Sequence, residues 1–358
     1  MITSSILTTM ILLLLVMANL WLVFRLIARK QRVIKQAARS NFTHSELLNQ
    51  AGEPTPGTVL VPGDTVAKPL VSIIIPCKNE DLNLKKTIDN IRSHNVNTAY
   101  EIIVVNDGSE DQCCDFLSGK DYQDLRLILT SGVGAAGARN TGAEQAQGDI
   151  LVFCDAHVAV CDNWLDGLVA SLREHRAQAV CPAVADMKTG RTVGYGQTWN
   201  RALNVSWLQE KPAAGTEVPL AGGCALAVER EVFGKIGGFD RYFQVWGRED
   251  EEICLKLWLF GYRLVVEPSV VVQHLFRSSH PYRVTNNHVI HNLLCLAYSH
   301  FNRRRLAKTI DLVKTNPYFP ALLSDLLLHE GLREQRRLYL STRVYDDNYY
   351  FDKFKISF

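Results

Sequence analysis

Short apolar runs alternate with amphipathic stretches between Val71 and Phe153, and this alternation limits the fold more than any other feature. Val71-Ser-Ile-Ile-Ile-Pro76, Glu101-Ile-Ile-Val-Val105, Leu125-Arg-Leu-Ile-Leu129 and Asp149 to Phe153 are nearly continuous. Runs of this kind suit strands buried on both faces of a parallel sheet. Between them, Leu82 to Ser93 puts Leu84, Ile88 and Ile91 on one helical face, and Ala138 to Gln147 also reads as a helix. The succession predicts an α/β, doubly wound, Rossmann-like and mostly parallel sheet. Ligands of such sheets bind outside the carboxyl ends of the strands. Glu80, Asp107 and Asp155 all stand at that edge.

Asp155 is followed two residues later by His157. On an extended segment these side chains point the same way, so a hard oxygen and an imidazole nitrogen can reach one point. Val270-Val-Val-Gln-His274 is another apolar strand ending in a histidine, shortly before Arg277 and His280. Asp155, His157 and His274 together make three protein ligands for a divalent cation and leave positions open for a substrate.

A second acidic cluster, Glu249-Asp250-Glu251-Glu252, follows Trp246-Gly247-Arg248 and precedes the helical Ile253 to Phe260. The helix dipole accounts in part for Glu251 and Glu252. A carboxylate at such a loop-to-helix junction also suits a general base. Glycine pairs at Gly222-Gly223 and Gly237-Gly238 flank a short helix, Glu229 to Lys235, and imply a close approach of backbone.

Gly132-Val-Gly134-Ala-Ala-Gly137 matches the G-x-G-x-x-G dinucleotide fingerprint, with Asp155 roughly twenty residues further on. An NAD-type oxidoreductase is therefore the alternative reading. The fingerprint follows the third strand rather than opening the first unit, His157 has no use in a ribose site, and the acidic cluster would be left unexplained. Packing a loop closely, or approaching a nucleotide, is the preferred role of these glycines.

Met1 to Phe24 carries no charged side chain and is followed by Arg25, Arg29, Lys30, Arg32, Lys35 and Arg39. This predicts a single membrane-crossing helix with its basic flank, and the main domain, on the cytosolic side. The expected organisation is a membrane anchor over 1–36, a Pro/Gly-interrupted linker over 37–69, a catalytic domain over 70–283 and a helical extension over 284–358. In that extension Val289 to Leu296, Arg303 to Val313 and Leu322 to Leu340 read as helices. A net charge of +2 over 358 residues gives no reason to expect nucleic acid as a partner. The nine cysteines are scattered, with no Cys-x-x-Cys, and read as reduced, mostly buried thiols rather than disulfides or a zinc cluster.

With Asp155-x-His157, Trp246-Gly-Arg-Glu-Asp250 and His274 in place, residues from about Val71 to Arg283 resemble a family 2-type glycosyltransferase of the glycosyltransferase-A fold. Features are shared with the polypeptide N-acetylgalactosaminyltransferases and with β-galactosyl- and chondroitin-type transferases. Val71 to Glu80, including Pro76, is similar to that family's nucleotide-binding start, Val104 to Ser109, including Gly108, to its second nucleotide-binding acid, and Ala138-Arg139-Asn140-x-Gly142 to its third segment. The resemblance implies that Glu80 and Asp107 contact the uridine of a UDP-sugar. It implies that Asp155, His157 and His274 hold Mn²⁺ or Mg²⁺ on the diphosphate. Asp250 becomes the base for an acceptor hydroxyl and Glu249 orients acceptor or sugar. Gly222 and Gly223 line the donor sugar, and Trp246, Gly247 and Arg248 belong to the substrate site. The acceptor is a glycan, a lipid-linked glycan or a protein. The usual metal motif of the family is Asp-x-Asp; His157 at its third position matches the polypeptide transferases, which retain anomeric configuration and carry Asn where Asp250 stands. Inversion is the expectation from Asp250.

Overall fold

The computed structural model describes residues 70–358. The expected anchor and linker lie outside the described residues. Among the described residues no helix is long and apolar enough to cross a membrane.

Strands β1 (Val71–Cys77), β2 (Tyr100–Asn106), β3 (Arg126–Leu129) and β4 (Ile150–Cys154) pair in parallel in the spatial order β3-β2-β1-β4. Their apolar runs are unbroken because both faces are covered. Ile74, Ile103, Val105 and Phe153 enter one core, and Ile73, Ile75, Ile102, Val104 and Val152 enter the other. Helices α1 (Asn83–Ser93) and α2 (Gly134–Glu144) connect them. A Cβ on Gly142 would stand 2.4 Å from Ile74 Cγ2, so this glycine lets α2 lie close on β1. Helix α2 starts at Gly134 rather than at the expected Ala138. Its first N–H groups are satisfied from a distance, by Asp107, which local sequence does not reveal.

The chain continues through β5 (Val158–Ala159), α3 (Trp164–Glu174), β6 (Ala179–Asp186), β7 (Thr192–Gly194), β8 (Gln197–Trp199), β9 (Val205–Trp207), β10 (Thr216–Glu217) and β11 (Ala225–Glu229). Then come α4 (Arg230–Lys235), α5 (Glu249–Leu259) and β12 (Leu264–His274). Strand β12 is parallel to β6, but β11 lies between β4 and β6 and is antiparallel to both. The sheet is therefore mostly parallel, as expected, with β11 and the short edge strands reversed within it. The stretch from β6 to β11 contains only short strands and loops; without a crossover helix it delivers β11 in the reverse direction.

Five helices follow: α6 (Asn286–His300), α7 (Arg303–Val313), α8 (Phe319–Leu328), α9 (Glu330–Thr342) and α10 (Asp347–Lys353). The single helix expected over Leu322 to Leu340 is broken at His329, whose Nδ1 accepts the N–H of Leu332 at 3.3 Å and caps α9. Phe301, Tyr350 and Phe351 share a core with α5. The N–H groups of Val344 and Tyr345 donate to the Leu259 carbonyl at the end of α5, at 2.9 and 2.8 Å. Behind α5, buried Glu252 pairs with Lys256 at 3.1 Å and with His300 of α6 at 2.8 Å. Residues 284–358 thus brace the helix whose first turn carries the acidic cluster.

Candidate active site

A cleft of about 450 Å³ opens at the carboxyl ends of β1, β2 and β4. Asp155 follows β4, His157 stands two residues on, and His274 ends β12. Their ligating atoms lie within 4.8 Å of one another. His274 Nε2 is 3.3 Å from one Asp155 oxygen, and Arg139 of α2 donates to the other at 2.9 Å. Burial alone would raise Asp155, but the His274 contact and the charges of Arg139 and His157 outweigh it and hold the carboxyl well below the usual range.

Glu80 lies in the loop after β1 and is held in a fork by Arg277, with Nη1 at 3.2 Å and Nη2 closer. It also faces His157 Nδ1 at 3.2 Å. A carboxylate at Nδ1 fixes the tautomer that leaves Nε2 as a lone pair. One carboxylate and two imidazoles, one with its tautomer set, suit Mn²⁺, Mg²⁺ or Zn²⁺ by donor chemistry. Glu80→Gln should weaken divalent-cation affinity by about 10–100-fold. Titration of Mn²⁺ against thermal stability checks this, and an unchanged midpoint would remove Glu80 as the orienting group.

The four acids divide in pairs. Glu251 binds Arg248 at 2.7 Å and accepts from Trp199, while Glu252 is taken by the buried pair behind α5. Glu249 and Asp250 line the cleft. Glu249 lies 3.6 Å from Arg139 Nη1, so this guanidinium links both carboxylate groups of the cleft. Asp250 Oδ2 accepts the Gly223 N–H at 2.9 Å, and its Oδ1 is buried without a protein partner. A Cβ at Gly223 would fall 2.0 Å from Oδ1, so only glycine admits the carboxylate here. Burial pushes Glu249 and Asp250 up, and Arg139 pulls both down.

Asp107 also makes bonds that its place in the sequence does not reveal. Its carboxylate accepts from Thr130 Oγ1 at 2.7 Å and from the N–H groups of Gly132, Val133 and Gly134 at 3.0, 2.7 and 2.9 Å. Three of these donors reach Oδ1 and one, the Gly134 N–H, reaches Oδ2. Asp107 therefore organises the glycine loop, although it lies on the cleft wall. The same bonds weigh against the dinucleotide reading, because the N–H groups that would cradle a pyrophosphate hold Asp107. Gly134, at φ +79°, also lets the start of α2 abut Val245: a Cβ there would lie 2.9 Å from Val245 N. Ala135 N–H donates to the Val245 carbonyl at 2.8 Å, which ties the glycine loop to the turn carrying Trp246.

Of the other expected residues, Pro76, Gly222, Gly223 and Trp246 line the cleft. Trp246 is at its rim, with its ring 4.3 Å from that of His280. Four do not reach it. Asn140 is engaged with Phe239, donating to its carbonyl and accepting its N–H, both at 2.9 Å. Arg248 turns to Glu251 and the Leu203 carbonyl. Gly247, at φ +104°, packs against Val289, and Gly108, at φ +71°, packs against the glycine loop. Lys78, Trp207, Arg277 and Tyr282 line the cleft without having been singled out as site residues. Arg277 was within reach of inference from its closeness to His274, but Trp207 sits on a short strand with no motif around it.

A strand-edge cleft walled by carboxylates, two histidines and an arginine, in a sheet with β11 reversed, belongs to a fold similar to that of solved glycosyltransferases. Residues 72–237 match the model described as Glycosyl transferase family 2, and residues 215–281 match the model described as N-terminal domain of galactosyltransferase. Polypeptide N-acetylgalactosaminyltransferase 8 of Drosophila melanogaster is 32% identical over 227 residues, which cover 59% of this chain and 38% of that protein. Polypeptide N-acetylgalactosaminyltransferase 11 of Xenopus tropicalis is 31% identical over 255 residues, covering 64% and 42%. The chain thus spans less than half the length of these relatives. Among solved structures, GalNAc-T7 with UDP, GalNAc and Mn²⁺ aligns over 80% of this chain and 56% of its own, with TM-score 0.64 and 20% identity. S. aureus TarS 1-349 in complex with UDP-GlcNAc covers 79% and 88%, with TM-score 0.51 and 15% identity. At these identities the likeness is one of fold.

Proposed function

We propose that this protein transfers a sugar from a UDP-sugar to an acceptor hydroxyl, with a divalent cation held by Asp155, His157 and His274. The observation that carries the reading is the convergence of those three side chains, with Arg139, in the strand-edge cleft. A bound cation supplies charge neutralisation for a diphosphate leaving group. The relatives named above as polypeptide N-acetylgalactosaminyltransferases, and the solved complexes with UDP or UDP-GlcNAc, favour a UDP-linked N-acetylhexosamine as donor and a hydroxyl on a protein or glycan as acceptor.

The chain's own residues then have distinct tasks. Arg139 places a fixed positive charge between Asp155 and Glu249. Asp250 takes the acceptor proton at Oδ1, while its Oδ2 stays on the Gly223 N–H; a base so placed favours inversion. Trp246 and Tyr282 offer aromatic faces to sugar rings at the rim. The uncharged Met1 to Phe24 and its basic flank support a membrane-tethered enzyme acting on the cytosolic side.

Thermal stabilisation by a panel of UDP-sugars, with and without Mn²⁺, tests this. A Mn²⁺-dependent rise in Tm with one UDP-sugar is the expected result. A rise with NAD(H) and none with any UDP-sugar would overturn the reading.

A further inference from the structure

Outside the cleft chemistry, one cluster of soft ligands has no assigned purpose. Cys77 ends β1, and Cys113 and Cys114 lie after β2, yet all three are buried together. The sulfurs of Cys77 and Cys114 are 3.4 Å apart, those of Cys113 and Cys114 are 3.9 Å apart, and all three lie within 4.8 Å of one another. Sulfurs that share a tetrahedral ion at metal–sulfur bonds of about 2.3 Å stand about 3.8 Å apart. Two of the three separations lie within about 0.4 Å of that value, and the third is no more than 4.8 Å. The two neighbouring thiols, the Ser109 hydroxyl and the Glu80 N–H favour the Cys113 thiolate. The Cys113 sulfur and burial hold Cys77 and Cys114 up, so those two would lose their protons only to a metal.

We propose that Cys77, Cys113 and Cys114 form a three-thiolate site for a thiophilic metal ion of the Zn²⁺ type, separate from the oxygen–nitrogen site at Asp155. The donor sets sort the ions: thiolates select soft or borderline metals, whereas a carboxylate with imidazoles also accepts Mn²⁺. A disulfide would use two sulfurs and leave the third without a role. Each coordinating thiol releases its proton to solvent as the ion binds. The segments so joined already interlock. Asp111 accepts the N–H groups of Asp81 at 2.6 Å and Cys113 at 3.1 Å, and Ser109 Oγ accepts the Asn79 N–H at 3.0 Å. Cys77 itself lines the cleft. An ion here clamps the loop that carries Glu80 to the loop that follows Asp107.

The test is titration of the reduced, metal-stripped full chain with Co²⁺ under argon, followed by near-ultraviolet thiolate-to-cobalt charge transfer. The expected result is a band that saturates stoichiometrically and is displaced by Zn²⁺ but not by Mn²⁺, with a Zn²⁺-dependent rise in Tm. The band should persist in Asp155→Asn and weaken in affinity by at least about 10²-fold in Cys114→Ser. If Cys114→Ser does not fold, Cys113→Ala serves in its place. Absence of the band in the wild-type protein would overturn the proposal, as would its survival in the cysteine variants, or a Cys77–Cys114 disulfide in the mass spectrum of protein kept under argon.

Discussion

Asp155→Asn should lower sugar transfer by about 10³-fold or more, which at 1.36 kcal/mol per decade is about 4 kcal/mol of transition-state stabilisation. The exchange keeps the size of the side chain and removes its charge. Asp155 faces both His274, at 3.3 Å, and Arg139, at 2.9 Å. Its loss takes the negative ligand from the cation and leaves Arg139 with Glu249 at 3.6 Å as its remaining carboxylate partner. Two readouts separate the roles. If Asp155 holds the cation, the Mn²⁺-dependent part of the Tm rise disappears while circular dichroism stays native. A variant that melts lower but keeps its Mn²⁺ dependence would mean that Asp155 only neutralises Arg139.

Asp250→Asn is expected to reduce transfer by about 10²- to 10⁴-fold while thermal stabilisation by donor and Mn²⁺ is kept. The amide can still accept the Gly223 N–H through its oxygen, so the loop geometry survives. It cannot take a proton. Burial raises the Asp250 carboxyl, the Asp155 charge adds to this, and Arg139 opposes it. The basic form is the ionised one, so transfer should climb as pH rises through a value above the ordinary carboxylate range. That acidic limb should vanish from the residual activity of the variant. Product stereochemistry gives an independent check by NMR: an inverted anomeric centre agrees with Asp250 as base, and a retained one removes it from that role.

Much of this could be read along the chain, because it depended on local rules. Continuous apolar runs gave the strands β1 to β4, and period-3.6 patterns gave α1, α6 and α7. Asp155 and His157 were legible because an extended chain puts alternate residues on one side. Remote partnerships were not legible along the chain. Asp107 and Glu80 both line the cleft as expected, but that the glycine loop also holds the one, and Arg277 and His157 the other, is seen only in the fold. The four acids of α5 looked alike in sequence. Only packing sends Glu251 to Arg248 and Glu252 to Lys256, while Glu249 and Asp250 face the cleft.

The sequence by itself determined the α/β class, the strand-edge position of the acids and the choice of Asp155, His157 and His274 as candidate metal ligands. The tertiary structure alone decided the reversal of β11, the use of the glycine fingerprint to hold Asp107, and the meeting of Cys77 with Cys113 and Cys114. The physical reason is separation along the chain: periodicity and propensity act over a few residues. Strand order and hydrogen-bond partnership are fixed by which distant groups the fold buries together.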